Sequence, residues 1–110
     1  MYERIIVSGN IGKAEVLTSV AGNQYVRISV AVNRKVGAEK QTQTIWYSVL
    51  LYGGLAKEPE KVVARYGKGR VVLVEGRPQT AAFIRQDGTA GLENSIIATN
   101  FPELMDRPPA

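Results

Sequence analysis

Trp46 and Tyr52 lie six residues apart in the segment Ile45–Tyr52. Side chains of a strand alternate between its two faces, so an even separation puts both rings on the same side. A flat ring at a surface can stack against another flat group, and the same ring can equally fill a core. The residues alone leave both readings open for Trp46. Arg27 shares its strand face with small residues and is placed to line the floor of a groove. Arg34, Lys35, Lys40, Lys68, Arg70, Arg77 and Arg85 supply cations of the kind that bind phosphate. Taken singly, each is read as well as ordinary solvated surface. Lys57, Lys61 and Arg65 alternate with Glu58 and Glu60, the pattern of a mixed, solvated helix face.

Composition removes most other chemistry. The chain has 110 residues and contains neither histidine nor cysteine. That excludes a Ser-His-Asp triad, a thiol nucleophile, a disulfide and any histidine or cysteine metal ligand. Gly12-Lys13 and Gly67-Lys68 fall outside the Gly-x-x-x-x-Gly-Lys-Ser/Thr pattern of a phosphate-cradling loop. Glu15, Glu39, Glu75, Asp87 and Glu93 show no metal-ligand spacing. The sequence therefore predicts a non-catalytic protein with no cofactor and no metal. Lysine and arginine number 14 against 10 acidic residues, a formal charge of +4. The resulting pI near 9.6 suits a polyanionic partner without requiring one. No apolar run approaches the roughly 20 residues of a membrane span, and no basic-then-apolar leader opens the chain.

The elements that must position these side chains are short strands separated by glycine-containing turns. Arg4–Ser8 reads as a strand, Gly9–Gly12 as a break or bulge, and residues 14–20 as its continuation. Over residues 25–33, Val26, Ile28, Val30 and Val32 share a core face, and Arg27, Ser29, Ala31 and Asn33 share the other. Residues 34–44 are polar and contain Gly37, which predicts a long, mobile hairpin loop. Residues 45–52 form a third strand that places Ile45, Tyr47, Val49 and Leu51 opposite Trp46, Ser48, Leu50 and Tyr52. Over residues 55–66 the period becomes helical, with Pro59 suited to a first turn and Gly67 to a stop. Residues 70–79 and 92–101 read as the fourth and fifth strands, with Asp87-Gly88 as a turn. Pro102, Pro108 and Pro109 mark a frayed tail, giving a domain over 1–102 and a short tail over 103–110. Tyr25, Tyr47 and Tyr66 read as structural. Three strands, a helix and two strands exclude a parallel βαβ sheet. The predicted class is all-β, a five-stranded OB-fold Greek-key barrel with one helix between strands three and four. An SH3-like barrel or a small α+β sandwich is the competing pattern.

Three blocks then carry a resemblance. They are Ile6-Val7-Ser8-Gly9-Asn10-Ile11-Gly12, Thr44-Ile45-Trp46-Tyr47-Ser48-Val49-Leu50-Leu51-Tyr52-Gly53-Gly54-Leu55-Ala56, and Tyr66-Gly67-Lys68-Gly69 followed by Val72-Leu73-Val74-Glu75-Gly76-Arg77. In this order and at this spacing they resemble the bacterial-type single-stranded DNA-binding proteins over about residues 3–101. The resemblance implies an OB fold and a homo-oligomer, a tetramer first and a dimer as the alternative. It also implies protection of single-stranded DNA without strong sequence preference, in replication, recombination or repair, in the cytoplasm with the nucleoid. It assigns base stacking to Trp46, to Tyr52 where the family usually has phenylalanine, and to Phe83 on the hairpin after the fourth strand. Arg27, Arg34, Lys35, Lys68, Arg77 and Arg85 become the groove that tracks phosphates.

Three departures bear on this. Val36 stands where the family often has a further tryptophan, and Ala81-Ala82 stand where the hairpin tip is usually basic. The sequence ends Arg107-Pro108-Pro109-Ala110, without the acidic tip by which members recruit replication and repair enzymes, which leaves such partners open. Two rivals follow. One is an OB-fold interaction module, a primosome-type dimer or complex subunit, whose aromatics face a protein. The other keeps the fold and prefers RNA.

Overall fold

Alternating β-branched residues decide the architecture. Val26, Ile28 and Val30 on one strand and Val49 and Leu51 on the next have no exposed surface, as a period-2 pattern over a single core requires. The computed structural model describes residues 3–37 and 41–105, with Lys35, Val36, Ala81 and Phe83 described through their backbones only. Its strands are β1 (Ile5–Thr18), β2 (Gln24–Val36), β3 (Gln41–Leu51), β4 (Val71–Ile84), β5 (Ala90–Ala98) and a short β6 (Glu103–Leu104). They pair in the order β1-β2-β3-β5-β4-β6, and β1 also pairs with β4. The sheet thus closes on itself as the expected OB barrel, with β3 and β5 parallel and the other neighbours antiparallel.

Closure depends on β1 serving two partners. Ile5–Asn10 pairs with β4 and Asn10–Thr18 with β2, with a register shift between Ile11 and Lys13. An extra residue on one strand bends it and increases its twist, which lets β1 turn the corner. Gly76 on β4 marks a tight approach: a Cβ there would run into the Ile97 carbonyl and come within 2.8 Å of Ile96 Cγ2.

Between β3 and β4 the chain makes a 3-10 turn at Gly53–Ala56 and then a helix, α1, at Pro59–Arg65. The helix starts at Pro59, not at 55, because proline at the first position has no amide to leave unpaired. Leu55 belongs to the preceding turn. Val62 and Tyr66 are buried, and the Tyr66 hydroxyl donates to the Pro102 carbonyl at 2.7 Å.

Two expectations are corrected. Residues 34–36 and 41–44, expected within a long loop, are strand, because the β2–β3 ladder continues to Val36↔Gln41; residues 38–40 lie outside the described residues. Backbone pairing, aided by the Thr44 hydroxyl donating to Asn33 Oδ1 at 2.6 Å, holds this polar arm extended without burial. Lys40, expected among the phosphate contacts, lies outside the described residues. The chain also does not fray at Pro102, which is buried, and Glu103–Leu104 pairs with Leu73–Val72. Residues 106–110 lie outside the described residues.

Candidate nucleic-acid interface

The outer wall of β4, β5, β3, β2 and β1 carries the candidate side chains in register. One row across it runs Arg77, Ile97, Leu50, Arg27, Glu15. The next runs Gln79, Ser95, Ser48, Ser29, Lys13. In the row beyond, Trp46 pairs with Ala31, and Glu93 precedes the Asn94 that pairs with Tyr47, so it lies beside Trp46. At the other end Tyr25 and Tyr52 flank the Val26↔Leu51 pair. The wall therefore has an aromatic end at Trp46, a low floor of serines, an apolar patch between two arginines, and an aromatic end at Tyr25 and Tyr52.

Trp46 is 56% exposed. Its indole reaches from β3 across β2 to β1, where Cζ3 and Cη2 lie 2.7 and 2.9 Å from the point a Cβ on Gly12 would occupy. Only a residue without a side chain permits this approach. Ala31, directly opposite Trp46, is the small residue the ring crosses. The tryptophan is thus a surface group held on the wall and not a core residue.

Tyr52 is 45% exposed, and its ring centroid lies 5.0 Å from that of Tyr25, with the rings tilted by 32°. The pair borders an open cleft of about 810 Å³ beside the β1–β2 turn. Burial, and then the neighbouring Tyr25, pushes the Tyr52 phenol above its ordinary value, so it stays neutral at physiological pH. Reading Tyr25 as structural missed its place on this wall. The signal was available, since Tyr25 has the same strand parity as Arg27 and Ser29.

Arg27 sits on the floor between two carboxylates, with Nη1 3.9 Å from Glu15 and Nη2 3.8 Å from Glu93. Its Nε is buried without a hydrogen-bond partner. Lys68 is exposed in the turn before β4, and this turn docks on the β1 bulge: Gly69 N donates to Ile11 O at 2.7 Å, and Ile11 N to Arg70 O at 2.8 Å. The bulge that seats the indole thereby also anchors the lysine turn. Arg77 is exposed at the β4 end of the first row.

The remaining candidates lie farther out. Arg34 pairs with Gln43 on the β2–β3 arm and is exposed, but strand parity puts it on the face opposite Trp46. Lys35 pairs with Thr42 on that arm. Phe83 pairs with Gly91 on the β4–β5 arm. Arg85 is at that arm's tip, where its guanidinium donates to the Ala90 carbonyl. The tip is the expected turn at Asp87-Gly88, closed by Thr89 donating to Asp87 Oδ1 through both its amide and its hydroxyl. Glu93 and Gly12, with Tyr25, are the residues of this wall that sequence reasoning did not assign to it.

Fold and site define a class, an OB barrel whose outer wall presents aromatic and cationic side chains. The chain belongs to the single-strand binding protein family, whose model matches residues 2–104. It is 27% identical over 109 residues to single-stranded DNA-binding protein 1 of Streptococcus pyogenes, covering 97% of this chain and 80% of that protein. It is 30% identical over 112 residues to the single-stranded DNA-binding protein of Aquifex aeolicus, covering 98% and 73%. Among solved structures it resembles a Plasmodium falciparum SSB in complex with ssDNA, with a TM-score of 0.69 and 19% identity over 96% of each chain. It also resembles a small single-stranded DNA-binding protein from Streptomyces coelicolor, with a TM-score of 0.70 and 22% identity, covering 89% and 90%.

Proposed function

We infer that the protein binds single-stranded DNA without strong sequence preference, with bases stacked on the wall and cations tracking the phosphates. The observation that carries this is the indole of Trp46, exposed yet seated on Gly12 at the edge of a low floor. A single strand exposes the π-face of every base, so such a platform is sequence-tolerant, at about 1–3 kcal/mol per stacked base. Trp46 and the Tyr25–Tyr52 pair are the platforms within this account, with Phe83 as a further one. Arg27 lies on the floor and Lys68, Arg77 and Arg85 border the path, with Arg34 and Lys35 as further cations out on the β2–β3 arm, off the Trp46 face in the case of Arg34.

Family membership favours DNA over a protein partner for this wall and fits roles in replication, recombination and repair. The protein acts as a homo-oligomer, taken as a tetramer, so that one strand passes several walls. Linked sites then bind at high effective concentration. It acts without catalysis, in the cytoplasm with the nucleoid.

The test is the salt dependence of oligonucleotide binding. Each phosphate neutralised on a single strand contributes a slope of about −0.7 in log K against log salt. Lys68→Gln and Arg77→Gln are each expected to flatten the slope by about that amount. A slope near zero in the wild type would remove the phosphate-tracking part of the account.

A further inference from the structure

We propose that Glu93, held by Ser48 and Arg27, reads the edge of the base stacked on Trp46 and favours bases with an exocyclic amino group over thymine. The proposal rests on the reading of Trp46 as a stacking platform. Its starting point is a carboxylate set among the groups that would meet DNA, where a negative charge opposes the phosphates. Glu93 and Trp46 border one shallow depression of about 380 Å³, together with Ser48, Arg27, Leu92 and Asn94.

The carboxylate is oriented. The Ser48 hydroxyl donates to Oε1 at 3.0 Å, and Arg27 Nη2 lies 3.8 Å from the same oxygen. Ser48 is 8% exposed in the middle of β3, so its hydroxyl is a fixed donor. Both contacts fall on Oε1, and among the described residues no hydrogen bond is donated to Oε2. An ionised carboxylate only accepts hydrogen bonds. The amino groups of cytosine, adenine and guanine can donate to Oε2. Thymine presents carbonyl oxygens at the corresponding corners, which oppose the carboxylate, and its one donor on that edge, the ring N3–H, lies between them. Arg27 Nη2 supplies a donor for the ring acceptor beside the amino group of cytosine or adenine.

The experiment titrates the wild type, Glu93→Gln and Ser48→Ala with oligo(dC) and oligo(dT) of equal length at one salt concentration, following tryptophan fluorescence. Glutamine keeps the size of Glu93, but its amide turns to donate or accept. The readout is the ratio of the dT to the dC dissociation constant, in which a uniform charge effect cancels. The ratio is expected to fall about fivefold in Glu93→Gln, the low end for one good base-edge contact, and in the same direction but by less in Ser48→Ala. An unchanged ratio, with Trp46 still quenched by both oligonucleotides, overturns the role of Glu93 and leaves the platform standing. Binding without quenching by either oligonucleotide overturns the platform, and the proposal with it.

Discussion

Replacing Gly12 by alanine isolates the seat of the tryptophan from the tryptophan itself. A Cβ at residue 12 would lie 2.7 Å from Trp46 Cζ3 and 2.9 Å from Cη2. Carbon atoms settle at about 3.5–4.0 Å, so the ring must retreat by roughly 1 Å, away from β1 and off the wall. Gly12 does not have a positive φ, so alanine brings no backbone strain there. Its effect on the unfolded chain is favourable by about 0.4–1 kcal/mol. Stability should therefore change little while the platform tilts. Losing Trp46 outright, as in Trp46→Ala, should cost about 1–3 kcal/mol per stacked base. Gly12→Ala should cost about 1 kcal/mol, close to fivefold in affinity, at the low end of that range. The assay is oligonucleotide affinity for Gly12→Ala, Trp46→Ala and the double variant, with thermal melts alongside. Because Gly12 acts through the ring, the double variant should bind no more weakly than Trp46→Ala alone. The reasoning is refuted if Gly12→Ala binds like the wild type, or if its loss persists undiminished without the tryptophan.

Three further outcomes are expected. Gly76→Ala should lower stability by about 1–3 kcal/mol in a urea melt, since the added methyl meets the Ile97 backbone, which cannot rotate aside; a melt at wild-type denaturant would contradict this. Tyr66→Phe should cost about 1–3 kcal/mol by leaving the buried Pro102 carbonyl without its donor. Burial raises the Tyr66 phenol above its ordinary value, and Arg65 partly opposes this through a hydrogen bond and its charge. The hydroxyl's contribution is therefore complete below the unfolded-chain value near 10 and is lost as pH rises through the higher folded value. The wild type should lose stability over that alkaline window more steeply than Tyr66→Phe, as pH-dependent melts would show. Tyr25→Ala should release Tyr52 and weaken DNA binding by about 0.5–1.5 kcal/mol, the scale of a lost aromatic pair; unchanged affinity would make Tyr25 structural after all.

The barrel was legible where burial writes a period into the sequence. Val26, Ile28 and Val30 alternate with Arg27 and Ser29, and the same alternation gave Trp46 and Tyr52 a common face. Pro59 marked the helix start because its missing amide tolerates only the first turn. The strand ends over 34–36 and 41–44 were not legible, because their pairing rests on ladder hydrogen bonds in a mostly polar segment, which leaves no apolar period. Glu103–Leu104 was hidden for a related reason: two residues are too few to show a period, and proline nearby reads as a chain end.

Within the site, the resemblance supplied Trp46, but its seat on Gly12 arises from the β1 bulge meeting a ring from β3, residues 34 positions apart in the chain. Glu93 comes to border the same depression as Trp46 through the parallel β3–β5 pairing, between segments that carry no shared motif. Tyr25 alone was within reach of strand parity and was passed over, because an aromatic beside a valine run also suits a core.

The central claim, that a base stacks on Trp46 within a cationic wall, has a direct measurement. Trp46 is the sole tryptophan of the chain, so intrinsic emission at its wavelength reports that ring. Titration with oligo(dT) at low and at high salt should quench the emission strongly, with binding that weakens as salt rises. Binding detected by an independent assay with the emission unchanged would contradict the account and move the DNA off Trp46.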